Sequence, residues 1–183
     1  MLDKETVWDA AQRCRASLDA ASIPHAVVGG VAVCLHGYQR STVDVDVLIR
    51  RQDAASVKEQ LTSVGFVWDD ARRELRTPED IPIHFLLSPD SASDDRSLGV
   101  TLPDPGAEET VTEIEGLRVV RLPRLIELKI ACGLGNLRRT HRDFADVVEL
   151  IALHDLRRSF ARHLHKSLRK TFRELVLRAR GEG

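Results

Sequence analysis

The sequence predicts an α+β fold in which a mixed β-sheet is flanked by helices and followed by a C-terminal helical bundle. Residues 25–49 are typical of a strand, a tight glycine turn, a short helix and a second strand. Short apolar segments bounded by Gly, Pro and Asp continue to residue 122 and are typical of further strands. From Pro123 onward, apolar residues recur every three or four positions, which predicts helices.

The composition indicates one compact domain, or one domain with a helical appendage. The chain has 183 residues, of which 43% are hydrophobic, and its formal net charge is −1. Because this charge gives no general attraction to nucleic acid, such a partner would need a local basic patch. No apolar run approaches the roughly 18 residues of a membrane span and no signal peptide is evident, so we expect a cytoplasmic protein without membrane contact. Three widely spaced cysteines predict neither disulfides nor a zinc site.

The first helix is expected over residues 3–21, with Asp3 as its N-cap. Pro24 cannot continue a helix, so a strand should follow at His25–Val28. His25 begins this strand and is expected at the surface. The apolar stripe of the helix has three- and four-residue spacing and consists of Val7, Ala11, Cys14, Leu18 and Ala21.

The strand that ends at Ile49 carries two acidic residues on one face. Side chains in a strand alternate between its faces, so Asp44 and Asp46 should point to the same side. Two residues along a strand span roughly 7 Å, which lets both carboxylates reach one metal ion or a pair of ions. Oxygen ligands at this spacing suit Mg²⁺ or Mn²⁺. The opposite face is apolar and consists of Val43, Val45, Val47 and Ile49.

The Gly29-Gly30 turn before this strand supplies features that a phosphate group needs. Two glycines let the backbone turn sharply and approach a ligand closely. The short helix that begins near Val31 would direct free N–H groups to the same place. With the two carboxylates, this turn predicts a cleft in which a metal ion and a polyphosphate meet.

These motifs resemble those of a known superfamily. In order along the chain they are Gly29-Gly30, His36-Gly37, Arg40, Thr42 and Asp44-x-Asp46. Their order and spacing resemble the signature of the polymerase-β-like nucleotidyltransferase superfamily. They are most similar to its AbiEii-type branch, which includes toxins of toxin–antitoxin systems. A weaker similarity lies at residues 128–130 and 142–146, so the resemblance spans about residues 24–153.

The resemblance implies a nucleotidyltransferase fold, with an α/β core over residues 1–122 and a helical region packed on it over residues 123–183. It implies metal-dependent transfer of a nucleoside monophosphate from an NTP to a hydroxyl group of an RNA such as tRNA, a protein or a small molecule. Mg²⁺, or Mn²⁺ in its place, would be held by Asp44 and Asp46. A toxin role would add an antitoxin protein as partner. Nucleotide-binding roles are implied for Gly29, Gly30, Arg40, Ser41, Thr42, Lys129 and Asp143.

One position departs from the superfamily pattern. After a helix at residues 50–64, strands are expected at 66–68, 73–76 and 81–87. The superfamily commonly has a third carboxylate in the last of these strands, where this chain has His84, the third candidate catalytic residue. A neutral imidazole could bind a transition metal or act as a general base near neutral pH. Alternatively, the protein is a catalytically impaired relative that binds a nucleotide, an RNA or a protein.

The second half of the chain is expected to begin with a long loop. Residues 88–110 are rich in Ser, Asp, Pro and Gly, which predicts a loop that is either disordered or a mobile flap. A hairpin at 111–114 and 117–122 should follow. Helices are then expected at 125–134 and 142–153.

The last predicted helix, over residues 156–178, has one apolar and one basic face. The apolar face repeats every four residues, at Leu156, Phe160, Leu164, Leu168 and Phe172. In a chain that is otherwise acidic, the opposite face is the one place that would attract a polyanion such as RNA. That face consists of Arg157, Arg158, Arg162, Lys166, Arg169, Lys170, Arg173 and Arg178.

Overall fold

Within residues 6–181, which are those that the structure describes, seven strands form one mixed β-sheet in this computed structural model. The strands are β1 (His25–Val28), β2 (Val45–Arg50), β3 (Val67–Asp69), β4 (Glu74–Arg76), β5 (Pro82–Ser88), β6 (Val111–Ile114) and β7 (Leu117–Val120). The α-helices are α1 (Val7–Ala20), α2 (Gly29–Leu35), α3 (Ala54–Ser63), α4 (Leu122–Gly135), α5 (Leu137–Leu153) and α6 (Arg169–Ala179). None of these helices is long and apolar enough to cross a membrane. The sheet, its flanking helices and the C-terminal helices confirm the predicted α+β fold.

The centre of the sheet brings together the three strands that carry the predicted motifs. The strand order is β3-β4-β5-β2-β1-β7-β6. β2 is antiparallel to β1 and parallel to β5. In this register Asp46 lies between Val28 of β1 and His84 of β5. The glycine turn after β1, the aspartates of β2 and the histidine of β5 are therefore neighbours.

The two faces of the sheet have different partners. On the face opposite Asp46, Val47, Ile49 and Ile83 are exposed by 1% or less. α1 and α3 contact each other, and α1 contacts β1, β2 and β7. Side chains of α4 and α5 border the same cavity as Asp46, so these two helices lie on the polar face. The candidate site therefore lies between the sheet and the C-terminal helices.

The first helix begins later than predicted, because a different residue caps it. Thr6 is the N-cap of α1, and its hydroxyl accepts a hydrogen bond from the backbone N–H of Asp9 at 3.2 Å. The Asp9 carboxylate in turn accepts from the Thr6 backbone N–H at 3.0 Å. This reciprocal pair satisfies two N–H groups that have no partner inside the helix. Asp3, the predicted cap, lies outside the described residues.

The predicted helix over residues 156–178 is wrong in its first half. Residues Arg158–His163 and Lys166–Leu168 form short 3-10 helices, and only α6 is α-helical. Leu164 and His165 between them are extended, with ψ angles of 155° and 140°. The backbone N–H of His165 donates to the carboxylate of Glu127 in α4, a residue that is 5% exposed. This tertiary contact overrides the four-residue apolar repeat, which is compatible with a continuous helix.

The long loop is packed and not disordered. Ala92, Val100 and Leu102 are buried, and Ser91 pairs with Thr101 in an isolated β-bridge. The loop also reaches the C-terminal helices, because the Ser93 hydroxyl donates to the Ala131 carbonyl of α4 at 2.7 Å. These contacts fix the loop against α4.

Val43 and His25 lie differently from expectation. Val43 precedes β2 and is 72% exposed, so the apolar face of this strand begins at Val45. His25 is 1% exposed because β1 lies inside the sheet, between β2 and β7. The expected surface position of His25 is therefore wrong.

Candidate metal and nucleotide site

Two aspartates and a histidine converge at the centre of the sheet. Asp46 lies in β2, Asp44 immediately precedes that strand, and His84 lies beside Asp46 in β5. His84 Nδ1 is 3.4 Å from Asp46 Oδ1 and 3.6 Å from Asp44 Oδ2. One oxygen or nitrogen atom from each of the three side chains lies within 4.8 Å of the other two. The three predicted catalytic residues thus share one location that can accommodate a divalent cation.

Gly29 makes room for this cluster. A Cβ atom at Gly29 would lie 1.8 Å from Asp46 Oδ2, and the residue has a φ angle of +63°. A Cβ atom at Gly30 would lie 2.5 Å from the Thr42 hydroxyl oxygen, which donates to Asp44 Oδ1 at 3.1 Å. The glycine pair is therefore needed to hold both carboxylates where they are, in addition to any role in binding phosphate. The absence of a side chain at Gly29 lets the Asp46 carboxylate lie directly against the backbone of the turn.

A third acidic residue, which the sequence analysis missed, contacts the histidine. Glu74 Oε2 is 2.9 Å from His84 Nε2. The register of the β4–β5 hairpin pairs Leu75 with Ile83, which places Glu74 opposite His84. Assigning that register would have identified Glu74, because paired residues of adjacent strands point to the same side of a sheet.

The carboxylates around His84 change its protonation. They raise the pKa of His84 to about 9, chiefly through the hydrogen bond with Asp46 and then through Glu74 and the charge of Asp44. Partial burial opposes this rise. Without a metal ion, His84 is therefore an imidazolium at neutral pH and cannot accept a proton there. This disfavours a role for the metal-free histidine as a general base.

A buried network of charges joins the segment before β2 to the C-terminal helices. Arg40 makes two hydrogen bonds to the Asp146 carboxylate, of 2.7 and 3.0 Å. Lys129 Nζ lies 2.8 Å from an oxygen of Asp146 and 2.8 Å from an oxygen of Asp143. Lys129 is 5% exposed and both aspartates are 1% exposed. Arg40 and Lys129, which were predicted to bind nucleotide, are thus paired with aspartates.

A cavity of about 270 Å³ extends from Asp46 and His84 toward α4 and α5. Asp143 lies at its wall, and the buried Oδ2 atom of this residue is 3.3 Å from Arg139 Nε, a second residue of α5 that lines the cavity. Ser41 is exposed, and Gly30, Arg40 and Thr42 are not among the lining residues. The cavity is therefore lined by only some of the predicted nucleotide-binding residues. Its lining consists of Val28, Gly29, Asp46, His84, Leu86, Leu125, Leu128, Lys129, Cys132, Arg139 and Asp143.

The C-terminal segment concentrates positive charge at the surface. Residues 154–183 contain nine Arg and Lys residues against three Asp and Glu residues, in a chain with a net charge of −1. Eight of these cations are exposed, and six of the eight form no ion pair with a carboxylate within residues 6–181. These six form what we call the cationic region: Arg158, Arg162, Lys166, Lys170, Arg173 and Arg178.

Solved structures of nucleotidyltransferase-like proteins have the same fold as this chain. No protein-family model matches the sequence, and no curated protein sequence is significantly similar to it. Solved structures do match. An antigenic nucleotidyltransferase-like protein from Paracoccidioides brasiliensis is 19% identical with a TM-score of 0.61, over 99% of this chain and 90% of that one.

Two further solved structures show the same fold. JHP933 from Helicobacter pylori is 18% identical with a TM-score of 0.54, over 94% of this chain and 90% of that one. ANT(2'')-Ia, solved in complex with adenylyl-2''-tobramycin, is 13% identical with a TM-score of 0.53, over 89% of this chain and 94% of that one. Identities this low establish the fold, which the sequence predicted, and leave the AbiEii-type branch a prediction.

Proposed function

We propose that the protein is a metal-dependent nucleotidyltransferase, which transfers a nucleoside monophosphate from an NTP to a hydroxyl acceptor and releases pyrophosphate. The observation that carries this proposal is the convergence of Asp44, Asp46 and His84 beside an open cavity. A partly buried trio of this kind, placed at the mouth of a cavity in a nucleotidyltransferase fold, suits a metal ion that meets a triphosphate.

The residues of the site would have different roles in the proposed reaction. Asp44 and Asp46 would hold the cation, and Mg²⁺ or a similar ion supplies neutralisation of the phosphate charge when bound. Gly29 lines the cavity beside Asp46, so a phosphate group in the cavity could approach its backbone closely. Asp143 Oδ2, which lies 3.3 Å from Arg139 Nε, can also accept a hydrogen bond from a ligand in the cavity. Arg40 and Lys129 act indirectly, because their ion pairs fix the segment before β2 against α4 and α5.

The acceptor that the surface favours is RNA. The cationic region presents six exposed positive charges without carboxylate partners among the described residues, and such charges attract a phosphate backbone. ANT(2'')-Ia, which has a similar fold, was solved in complex with a small molecule, adenylyl-2''-tobramycin. A tRNA or other RNA acceptor is nevertheless the proposal here, since a small acceptor leaves the cationic region without a role.

Calorimetry with ATP, CTP, GTP and UTP tests the site. We expect NTP binding only when Mg²⁺ or Mn²⁺ is present, because a triphosphate beside two aspartates is repelled without a cation. Asp44→Asn with Asp46→Asn should abolish this binding, whereas Glu113→Gln, at an exposed carboxylate of β6, should leave it unchanged. Binding that does not require a metal ion, or that survives the double substitution, would remove the basis of the proposal.

A second candidate is a catalytically impaired relative that binds a nucleotide, an RNA or a protein. The specific observation in its favour is that His84, where the superfamily commonly has a third carboxylate, is held by carboxylates on both of its ring nitrogens. NTP binding of the expected kind together with no transfer to any acceptor would favour this candidate.

The resemblance to the AbiEii-type branch supports a narrower proposal, that the protein is the toxin of a toxin–antitoxin pair. Its expression should then arrest growth of a bacterial host, and Asp44→Ala should relieve the arrest. Co-expression of an antitoxin encoded beside it should also restore growth. Unimpaired growth of cells that accumulate the soluble wild-type protein would contradict the toxin role.

A further inference from the structure

We propose that Glu74 is a positioning residue that presents His84 Nδ1 as a metal ligand, so that the centre formed with Asp44 and Asp46 prefers first-row transition-metal dications to Mg²⁺. This inference rests on the proposed function only in placing a metal ion at that centre. It concerns which class of ion the site takes and which residue sets that preference.

The imidazole ring of His84 is oriented by contacts at both of its nitrogen atoms. The two ring nitrogens face opposite sides, with Nε2 at 2.9 Å from Glu74 and Nδ1 at 3.4 and 3.6 Å from the two aspartates. When Nε2–H donates to Glu74, the lone pair of a metal-binding tautomer is on Nδ1. That lone pair is directed at the carboxylate pair. A carboxylate behind a histidine in this way is the usual means of fixing a metal ligand.

Neighbouring residues fix the position of Glu74. Its side chain is only 12% exposed and pairs with Arg76, two residues further along β4. Arg76 is held in turn by the side chain and the carbonyl of Asp80, at 2.6 and 2.7 Å. The hairpin register places Glu74 opposite His84. Glu74 therefore contacts the imidazole from a fixed place outside the Asp44–Asp46–His84 cluster.

The donor atoms of Asp44, Asp46 and His84 differ from the set that Mg²⁺ prefers. Mg²⁺ prefers an octahedral shell of oxygen atoms, and two carboxylates with a third carboxylate would supply it. Here the third donor is an imidazole nitrogen, which binds transition-metal ions more readily than it binds Mg²⁺. Glu74 cannot restore an all-oxygen set, because the imidazole lies between it and the aspartates.

Manganese binding to the full chain without nucleotide tests the inference. Free Mn²⁺ is measured by electron paramagnetic resonance with Mg²⁺ as competitor, and pulsed measurements detect coupling to a ligand nitrogen. We expect nitrogen coupling in the wild type. His84→Asp should abolish that coupling and reduce the Mn²⁺ preference over Mg²⁺ by about tenfold or more. Absence of nitrogen coupling in the wild type, or an unchanged preference in His84→Asp, would overturn the metal class.

Two substitutions test the role of Glu74. Glu74→Ala should weaken Mn²⁺ binding by about 10–100-fold, the usual effect of removing a residue that orients a metal ligand. Glu74→Gln keeps an acceptor for Nε2–H, so it should retain the nitrogen coupling with a smaller loss of affinity. Glu113→Gln is the matched control, and circular dichroism shows whether each variant is folded. Wild-type affinity in Glu74→Ala, or a folded Glu74→Gln with no nitrogen coupling, would overturn the positioning role.

The test of this inference and the test of the proposed function can give different results. Binding is measured without NTP, so nitrogen coupling in a protein that transfers no nucleotide would support this inference while the proposed activity failed. Transfer activity in a protein without nitrogen coupling would support the proposed function and overturn this inference.

Discussion

At the scale of single residues, the site depends on a missing side chain. Ala at position 29 would place its Cβ atom 1.8 Å from Asp46 Oδ2 and would also adopt a φ angle of +63°. We expect Gly29→Ala to abolish Mn²⁺ binding and to lower the free energy of unfolding by at least the roughly 1–3 kcal/mol of a left-handed residue. Metal titration and urea denaturation measure the two effects.

Gly65 offers a matched control for Gly29. Its φ angle is +98°, but the nearest atom to an added Cβ is 3.9 Å away. Gly65→Ala should therefore show the backbone cost without any loss of metal binding. Equal metal affinity in both variants would mean that Gly29 does not act through Asp46.

Buried His25 should make stability depend on pH. Burial lowers the pKa of His25, although the Ile23 carbonyl and Asp19 oppose the change. The unfolded chain thus binds this proton more readily, and stability is lost as pH falls below the ordinary value of about 6.5. His25→Gln should lessen the loss of unfolding free energy on acidification, whereas exposed His141→Gln should not. A wild-type pH dependence in His25→Gln, measured by urea denaturation, would contradict this account.

At the scale of secondary-structure elements, the buried charge network joins the segment before β2 to α4 and α5. We expect this network to contribute strongly to the free energy of unfolding. Asp146→Asn would leave Arg40 and Lys129 with too little negative charge in a site where each is largely buried. Removing one partner of a buried ion pair typically costs about 3–5 kcal/mol. We expect a loss of that size in urea denaturation.

An exposed ion pair provides the contrast. Asp155 pairs with Arg157 and Arg180, and its side chain is 71% exposed. Asp155→Asn should change stability little, since solvent screens such pairs. A similar, small effect of Asp146→Asn would show that the network does not hold the helices in place.

Some features of the site could be predicted from the sequence, and others depend on contacts between distant segments. The alternation in β2 and the glycine turn follow local rules, so the shared face of Asp44 and Asp46 was predictable from the sequence, whereas His84 was placed beside them only by the resemblance to the superfamily. The Glu74 contact was not predictable, because it depends on the register of a hairpin between two short strands. The break near His165 was not predictable either, since it depends on a partner 38 residues away in sequence, Glu127.

At the scale of the whole molecule, the positive charge of the cationic region contrasts with the net negative charge of the rest of the chain. If the cationic region binds the phosphates of an RNA acceptor, affinity should fall steeply as salt concentration rises. Lys166→Glu with Lys170→Glu should weaken binding and flatten that dependence, because each lost phosphate contact reduces the slope by about 1. Arg169 is not chosen, since it donates to the carbonyls of Leu164 and Arg162.

A control with the same change in charge lies on the β3–β4 hairpin, at the edge of the sheet. Arg72→Glu with Arg73→Glu should leave the salt dependence unchanged. Electrophoretic mobility shifts at several salt concentrations compare the variants. Equal losses in both double variants would indicate a general charge effect and no specific role for the cationic region.

The central claim, that Asp44, Asp46 and His84 form a centre for nucleotidyl transfer, is tested most directly by following two labels of one substrate. The protein is incubated with total RNA, a divalent cation and NTP labelled with ³²P at either the α or the γ phosphate. We predict that the α label becomes attached to RNA and the γ label is released as pyrophosphate, with neither product formed by Asp44→Asn. Transfer of the γ label, release of orthophosphate, or α-label transfer that persists in Asp44→Asn would contradict the account.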